Sequence, residues 1–249
     1  MKYTEQELKD KIYSIMHTTP IKLYSDKLVA GDKKCKTRKE HITIDTKKSF
    51  KEVIVSVLEE YNANNSRWTL GVEVNEECTY NRYPGRIEDL RNKKIDSIYD
   101  NYIEQGTKEE RMVQCICHAR KNDEIYKDGF ATIDYQITTE TDSRSNAKID
   151  LLLRDKEYYY ITEVKYFDSI ESILRCVLEI ETYYEKLNPK FFEMYGITPD
   201  KLKKAVLVDA ESLAYKEREL PWAKKLIEKF DIVLLELNKE GEDFIIKKI

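Results

Sequence analysis

Apolar residues recur at helical spacing near the start of the chain. In the segment TEQELKDKIYSIM, Thr4 and Glu7 form a capping-box pattern, and apolar residues then follow three or four positions apart. This pattern predicts a helix over residues 5–16. The other elements predicted before residue 106 are helices over 47–61 and 87–104, one or two short strands within 20–32, and a strand over 67–74.

The pattern after residue 106 predicts a helix, three strands and a second helix, in that order. The first helix covers residues 108–121, and the strands are the segments GFATIDYQITT, KIDLLLRD and YYYITEVKYF. The second helix is SIESILRCVLEIETYYEKL, in which apolar residues recur at helical spacing. A strand (KAVLVDA), a helix (LPWAKKLIEKF) and two strands (IVLLELN and DFIIKKI) follow. Apolar runs separated by helices predict an α/β fold whose buried mixed sheet has helices on both faces.

The length of 249 residues allows one core domain with a smaller module attached. We expect an N-terminal α+β module over residues 1–105, which serves substrate recognition or dimerisation, and a second domain over residues 106–249.

The composition is that of an ordinary globular protein, with 36% charged and 41% hydrophobic residues and a formal charge of -4. The first residues are charged throughout, and no stretch reaches the roughly 18 apolar residues that cross a bilayer. We therefore expect a cytoplasmic protein with no membrane partner. One basic run follows a nucleic-acid backbone or forms a solvated loop, and both interpretations stay open. Its residues are Lys33, Lys34, Lys36, Arg38 and Lys39.

Three charged residues in the predicted second and third strands form the clearest chemical pattern. Residues two apart in a strand share a face, so Glu163 and Lys165 should point the same way. Asp150 interrupts the apolar strand KIDLLL. A hairpin through residues 155–157 would place Asp150 beside Glu163 across two paired strands.

An ionised aspartate in an apolar strand is costly unless a positive charge compensates it. A metal ion or Lys165 would supply that charge. Carboxylate oxygens suit Mg²⁺, which polarises a phosphoryl oxygen and lowers the pKa of a bound water, so the set is suited to phosphodiester hydrolysis. The alternative is that Glu163 and Lys165 form an exposed charge pair on an edge strand.

Residues 108–210 resemble the PD-(D/E)XK nuclease superfamily, whose core motif is matched by Asp150 and by Glu163-Val164-Lys165. The resemblance implies a restriction-endonuclease-like core with the order α-β-β-β-α-β. It also implies Mg²⁺ or Mn²⁺ held by Asp150, Glu163 and the carbonyl of Val164, with Lys165 positioning the attacking water.

The same resemblance implies further site residues on two helices. Members of the family have a glutamate in the helix before the first strand, and here Glu109 and Glu110 both stay open because periodicity does not choose between them. Some branches have a Gln-x-x-x-Tyr pattern in the helix after the third strand. Tyr183 matches the tyrosine, and Glu179 takes the place of the glutamine. Arg175 either contacts a substrate phosphate or pairs with Glu179.

The sequence thus predicts a divalent-metal-dependent nuclease with a role in restriction or defence, repair or mobile-element maintenance. Its expected partner is nucleic acid, and the resemblance favours DNA over RNA. A homodimer is compatible with the sequence. The alternative is a catalytically silent nucleic-acid-binding or scaffold protein with the same fold.

Overall fold

A computed structural model of the chain describes its residues with gaps, mainly in the N-terminal part. The described residues are 2–16, 21–22, 27–30, 40–41, 43–44, 48–60, 86–92, 108–120, 122–138, 148–185, 187, 189–240 and 243–249. The strand predicted over 67–74 and the basic run from Lys33 to Lys39 lie outside the described residues.

The described N-terminal elements include the helices predicted over 5–16 and 47–61, the first turns of the one predicted over 87–104, and two strands within 20–32. Three further two-residue strands were not predicted. Helix α1 (Glu5–Met16) begins after Thr4, whose N–H donates to Glu7 Oε2 over 2.8 Å. Helix α2 (Phe50–Leu58) has a second capping box. Helix α3 is described over Arg86–Asn92. The strands are β1 (Lys2–Tyr3), β2 (Ile21–Lys22), β3 (Lys27–Ala30), β4 (Glu40–His41) and β5 (Thr43–Ile44).

The order helix, three strands, helix, strand is confirmed after residue 106. The helices are α4 (Lys108–Ala119), α5 (Ile173–Glu185), α6 (Pro189–Tyr195), α7 (Leu213–Glu217) and α8 (Pro221–Lys229). The strands are β6 (Ala131–Thr138), β7 (Lys148–Arg154), β8 (Tyr159–Lys165), β9 (Leu202–Asp209), β10 (Ile232–Glu240) and β11 (Asp243–Lys248). Helices α6 and α7 were not predicted, because elements of seven and five residues are too short to show a period.

Six strands form one mixed sheet in the order β11-β10-β9-β8-β7-β6. Strands β6, β7 and β8 are antiparallel neighbours, and the predicted hairpin closes where the Asp155 N–H donates to the Tyr158 carbonyl over 2.9 Å. Strands β8, β9 and β10 are parallel, so a crossover has to connect β8 to β9, and it contains α5. The predicted α/β class and mixed sheet are confirmed.

Helices cover both faces of the sheet and define two core clusters. In the first core cluster α5 packs on β8 and β9, and residues of α1 and α2 such as Leu8 and Ile54 belong to the same cluster. In the second core cluster α4 contacts β6, β7, β8 and also β11, which lies at the far edge, so the sheet curls around α4. The division at residue 106 stays a prediction. No helix in the described ranges is long and apolar enough to cross a membrane.

A buried ion pair closes the curl of the sheet. Arg120 and Asp128 pair with side chains that are each 1% exposed. Arg120 Nη2 also donates to the Phe244 carbonyl over 3.0 Å, and Asp128 Oδ2 accepts from the Ile246 N–H over 2.8 Å. These bonds join the loop before β6 to β11.

Arg120→Met should lower the free energy of unfolding by about 3 to 5 kcal/mol, because it leaves Asp128 as an unpaired buried charge. Urea unfolding of the full chain measures the loss. The matched control is Lys224→Met, since Lys224 pairs with Glu219 at 2.7 Å but both side chains are more than 60% exposed. The control should change stability by less than about 1 kcal/mol. Equal effects of the two variants would show that the buried pair does not hold the sheet closed.

Candidate active site

The site lies where β7 and β8 separate. Their paired residues run from Arg154 and Tyr159 to Leu151 and Thr162, and Asp150 is the next residue of β7. There the Val164 N–H donates to Asp150 Oδ2 over 3.0 Å. The aspartate side chain therefore takes the place of the backbone acceptor that a continuous ladder would supply.

Strands β6 and β7 are both irregular beside this point. In a regular strand residues two apart share a face, yet the neighbours of Gln136 lie in different core clusters, and so do those of Asp150. These flanking residues are Tyr135 and Leu151 in the second core cluster and Ile137 and Ile149 in the first. Gln136 has a φ of 50°, and its Nε2 donates to Asp150 Oδ1 over 3.0 Å. The irregularity thus brings Gln136 and Asp150 into contact.

Lys165, the last residue of β8, lies among carboxylates from three parts of the chain. Its Nζ is 2.8 Å from Glu163 Oε1, 2.6 Å from Glu171 Oε2 and 3.3 Å from Glu109 Oε1. Only 2% of Lys165 is exposed. Burial disfavours the ammonium, but Glu163 and the other carboxylates outweigh that effect and raise the pKa of Lys165 well above its ordinary value. Lys165 is therefore a cation at neutral pH.

Two buried carboxyl groups of the site, Asp150 and Glu163, have raised pKa values. Burial raises the pKa of Asp150 to about 6, against the opposing effects of Lys165 and of the Val164 N–H. Burial also raises the pKa of Glu163 well above its ordinary value, and the nearby carboxylates of Asp150 and Glu179 add to that shift. Both groups therefore bind a proton more tightly than an exposed carboxyl group does.

Helix α5 adds an arginine, a glutamate and a tyrosine to the site. Arg175 Nε donates to Glu179 Oε1 over 2.8 Å, and the arginine also pairs with Glu171, so the predicted pair with Glu179 is present. Tyr183 is 4% exposed. Burial, together with the charges of Glu163 and Glu179, raises the pKa of Tyr183 well above its ordinary value. The Tyr183 hydroxyl therefore lies close enough to these carboxylates to be affected by their charge.

Glu217 in α7 fixes the first turn of α5. Its Oε2 accepts from Ser172 Oγ over 2.6 Å and from the Ile173 N–H over 3.1 Å. A carboxylate at this end of a helix satisfies free N–H groups and interacts favourably with the helix dipole. Lys51 of α2 pairs with the same carboxylate. The described N-terminal part is thereby joined to the helix that carries Arg175.

The structure brings most of the predicted site residues together. Glu110 differs, because its carboxylate lies 3.7 Å from the ammonium of Lys148, whereas Glu109 reaches Lys165. Val164 contributes its backbone, and its side chain is buried in the second core cluster. The residues placed at the site are Asp150, Glu163, Lys165, Glu109, Glu179, Tyr183 and, at its rim, Arg175.

Sequence reasoning missed two residues of the site, Gln136 and Glu171. Glu171 lies in the loop before α5, in a stretch that was predicted to be helical. Its spacing of four residues from Arg175 is the signal that points to it. Gln136 has no such signal, since nothing in the sequence marks its left-handed backbone.

The donor chemistry of the site fits a hard divalent cation. Oxygen ligands and crowded negative charge are what Mg²⁺ and Mn²⁺ prefer. Five carboxyl groups surround two cations: Asp150, Glu163, Glu109, Glu171 and Glu179 against Lys165 and Arg175. However, no three His, Cys, Asp or Glu side chains among the described residues are placed to hold one metal ion together. Asp150 and Glu163 are the two carboxylates in adjacent strands that would have to converge on it.

Comparison with known proteins adds little to this geometry. No protein-family model matches the chain, and no curated protein matches it. One solved structure with similarity is that of Pyrococcus furiosus SfsA in complex with Ca²⁺, which is 13% identical with a TM-score of 0.25. The match covers 56% of this chain and 58% of SfsA. A likeness at this level carries no argument about fold or function.

The stability of the wild type relative to Asp150→Asn should increase on acidification. The pKa of Asp150 is raised from 3.8 to about 6, so the folded chain binds this proton more tightly than the unfolded chain does. The cost of ionising Asp150 is present in full above pH 6 and disappears as the pH falls towards 4. Urea unfolding at pH 7.5 and pH 5 should show a relative gain of about 1 kcal/mol for the wild type. A relative loss at pH 5 would contradict the raised pKa.

Proposed function

We propose that the chain is a divalent-metal-dependent nuclease that hydrolyses phosphodiester bonds. One observation carries the proposal. Asp150, Glu163 and Lys165 meet at the ends of two adjacent strands, where Lys165 Nζ lies 2.8 Å from Glu163 and Asp150 accepts the Val164 N–H over 3.0 Å. The order of elements from α4 to β9 supports a PD-(D/E)XK-like, restriction-endonuclease-like core over residues 108–210.

Each residue has a definite part in this proposal. Asp150 and Glu163, with the Val164 carbonyl, would hold Mg²⁺ or Mn²⁺, which supplies Lewis-acid activation of water and of the phosphoryl oxygen when bound. Lys165 carries its proton at neutral pH, so it cannot accept one from water. It instead donates hydrogen bonds to the attacking water or to the phosphoryl oxygen and stabilises negative charge there. Glu109 keeps the ammonium in place.

The substrate would enter past the first turn of α5. The Arg175 side chain is 33% exposed and lies between Glu171 and Glu179. A guanidinium in this place is suited to a backbone phosphate, which it can bind with two parallel hydrogen bonds. We propose nucleic acid as the substrate, with DNA favoured by the superfamily resemblance.

A second candidate is a nucleic-acid-binding or scaffold protein without catalysis. It is favoured by the pairing of Lys165 and Arg175 with carboxylates and by the separation of the metal-binding side chains among the described residues. The two candidates differ in their response to metal, because a scaffold binds its partner equally well with Mg²⁺ and with EDTA.

Lys165→Met should reduce cleavage by about a hundredfold or more, because it removes the cation that stabilises charge at the reacting phosphate. The measurement is nicking of supercoiled plasmid and cleavage of single-stranded DNA by the full chain with Mg²⁺ or Mn²⁺. Lys224→Met, which removes an exposed lysine that pairs with Glu219 and not with a carboxylate of the site, is the matched control and should cleave like the wild type.

Two further arms complete this experiment. EDTA and Asp150→Asn should each abolish cleavage, and Asp150→Asn should also abolish Mn²⁺ binding in calorimetry. Cleavage that survives EDTA would refute the metal-dependent proposal. DNA binding that is equal with Mg²⁺ and with EDTA, and is accompanied by no cleavage, would favour the scaffold protein.

A further inference from the structure

Gln136 has a backbone conformation that is unusual for its residue type. Its φ of 50° lies in the left-handed region, where a residue with a side chain is uncommon outside Asn, Asp and Gly. It is also 5% exposed, inside β6 of the sheet. A backbone held in this region has a conformational cost that the surrounding contacts must offset.

A hydrogen bond of the Gln136 side chain is the contact that offsets this conformational cost. Its amide Nε2 donates to Asp150 Oδ1 over 3.0 Å, while the Val164 N–H donates to Oδ2 over 3.0 Å. The Asp150 carboxylate is therefore held from both neighbouring strands, by one N–H group on each oxygen. Two such bonds fix both the rotamer and the plane of the carboxylate.

The left-handed residue also explains why the amide can reach the aspartate. Gln136 lies opposite Asp150, between the paired residues Tyr135–Leu151 and Ile137–Ile149. With a regular backbone, Tyr135 and Ile137 would share a face, but they lie in different core clusters. The left-handed backbone at Gln136 thus breaks the alternation of β6, so that Tyr135 and Ile137 point to opposite faces of the sheet at the level of Asp150.

We propose that Gln136 is a positioning residue that orients the Asp150 carboxylate for a divalent cation. This inference rests on the proposed function, because it takes Asp150 to be a metal ligand. Residues that hydrogen-bond metal ligands typically change metal affinity or activity by about 10- to 100-fold when they are removed. Gln136 would act in this way from β6, a strand that contains no residue of the sequence motif.

A comparison of Gln136→Ala with Gln136→Gly separates positioning from backbone strain. Both variants remove the amide, but only Gly relieves the left-handed backbone, so Gln136→Gly should have an unfolding constant about fivefold smaller than that of Gln136→Ala. Mn²⁺ affinity of the full chain, measured by calorimetry, should nevertheless fall about 10- to 100-fold in both variants. A purely structural role predicts instead that Gln136→Gly recovers the affinity of the wild type.

Gln136→Asn is the matched control for the reach of the amide. Asn tolerates the left-handed region, but its side chain is one methylene shorter and should not reach Asp150. It should therefore fold with about the stability of Gln136→Gly and bind Mn²⁺ as weakly as Gln136→Ala. Mn²⁺ affinity within twofold of the wild type in Gln136→Ala would overturn the proposal.

An unfolding measurement distinguishes failure of this inference from failure of the proposed function. If the wild type itself binds no Mn²⁺, the metal site is refuted and so is the role of Gln136 toward a cation. A double-mutant cycle of Gln136→Ala with Asp150→Ala then still reports their contact. If the unfolding constant of the double variant differs at least about threefold from the value expected from the two single variants, the contact between Gln136 and Asp150 is confirmed. If the two single effects simply multiply, the contact is refuted.

Discussion

The buried ammonium of Lys165 is the constraint on which the arrangement of the site depends. A charge with 2% exposure is tolerated only where carboxylates and hydrogen bonds replace its water. Glu163 is supplied by the same strand, Glu109 by the first turn of α4 and Glu171 by the loop that leads into α5. Lys165 therefore joins the end of β8 to α4, on one face of the sheet, and to the loop that leads into α5, the helix on the other face.

The site occupies the place where the sheet departs from regular geometry. The β7–β8 ladder stops at Leu151, and β6 reverses the alternation of its side chains at Gln136. At this point the Asp150 side chain accepts the Val164 N–H, and the Gln136 side chain donates to the other oxygen of the same carboxylate. Local rules that are broken together at one point of a protein commonly mark a functional site, and here the stable curled sheet around that point offsets the local cost.

Part of this arrangement was predictable from the sequence. The alternation of β8 placed Glu163 beside Lys165, and the hairpin at residues 155–157 placed Asp150 at the matching level of the neighbouring strand. The choice between Glu109 and Glu110 was not predictable, because both lie in the first turn of α4. Which of them contacts Lys165 depends on the position of the lysine ammonium in the folded chain. The contact of Gln136 was equally hidden, since a left-handed glutamine follows from tertiary packing and has no sequence signature.

The balance of charge in this site bears on both of its proposed activities, metal binding and phosphate binding. Lys165 and Arg175 are both paired with carboxylates, and the pKa values of Asp150 and Glu163 are raised mainly by burial, with a smaller contribution from the neighbouring carboxylates. With five carboxyl groups against two cations, a phosphate that approached this site without another cation would meet a negative potential. A divalent ion would reverse the sign of that potential at the same carboxylates that hold it. In the proposed nuclease, the residues that would make hydrolysis depend on metal would therefore also make phosphate binding depend on metal.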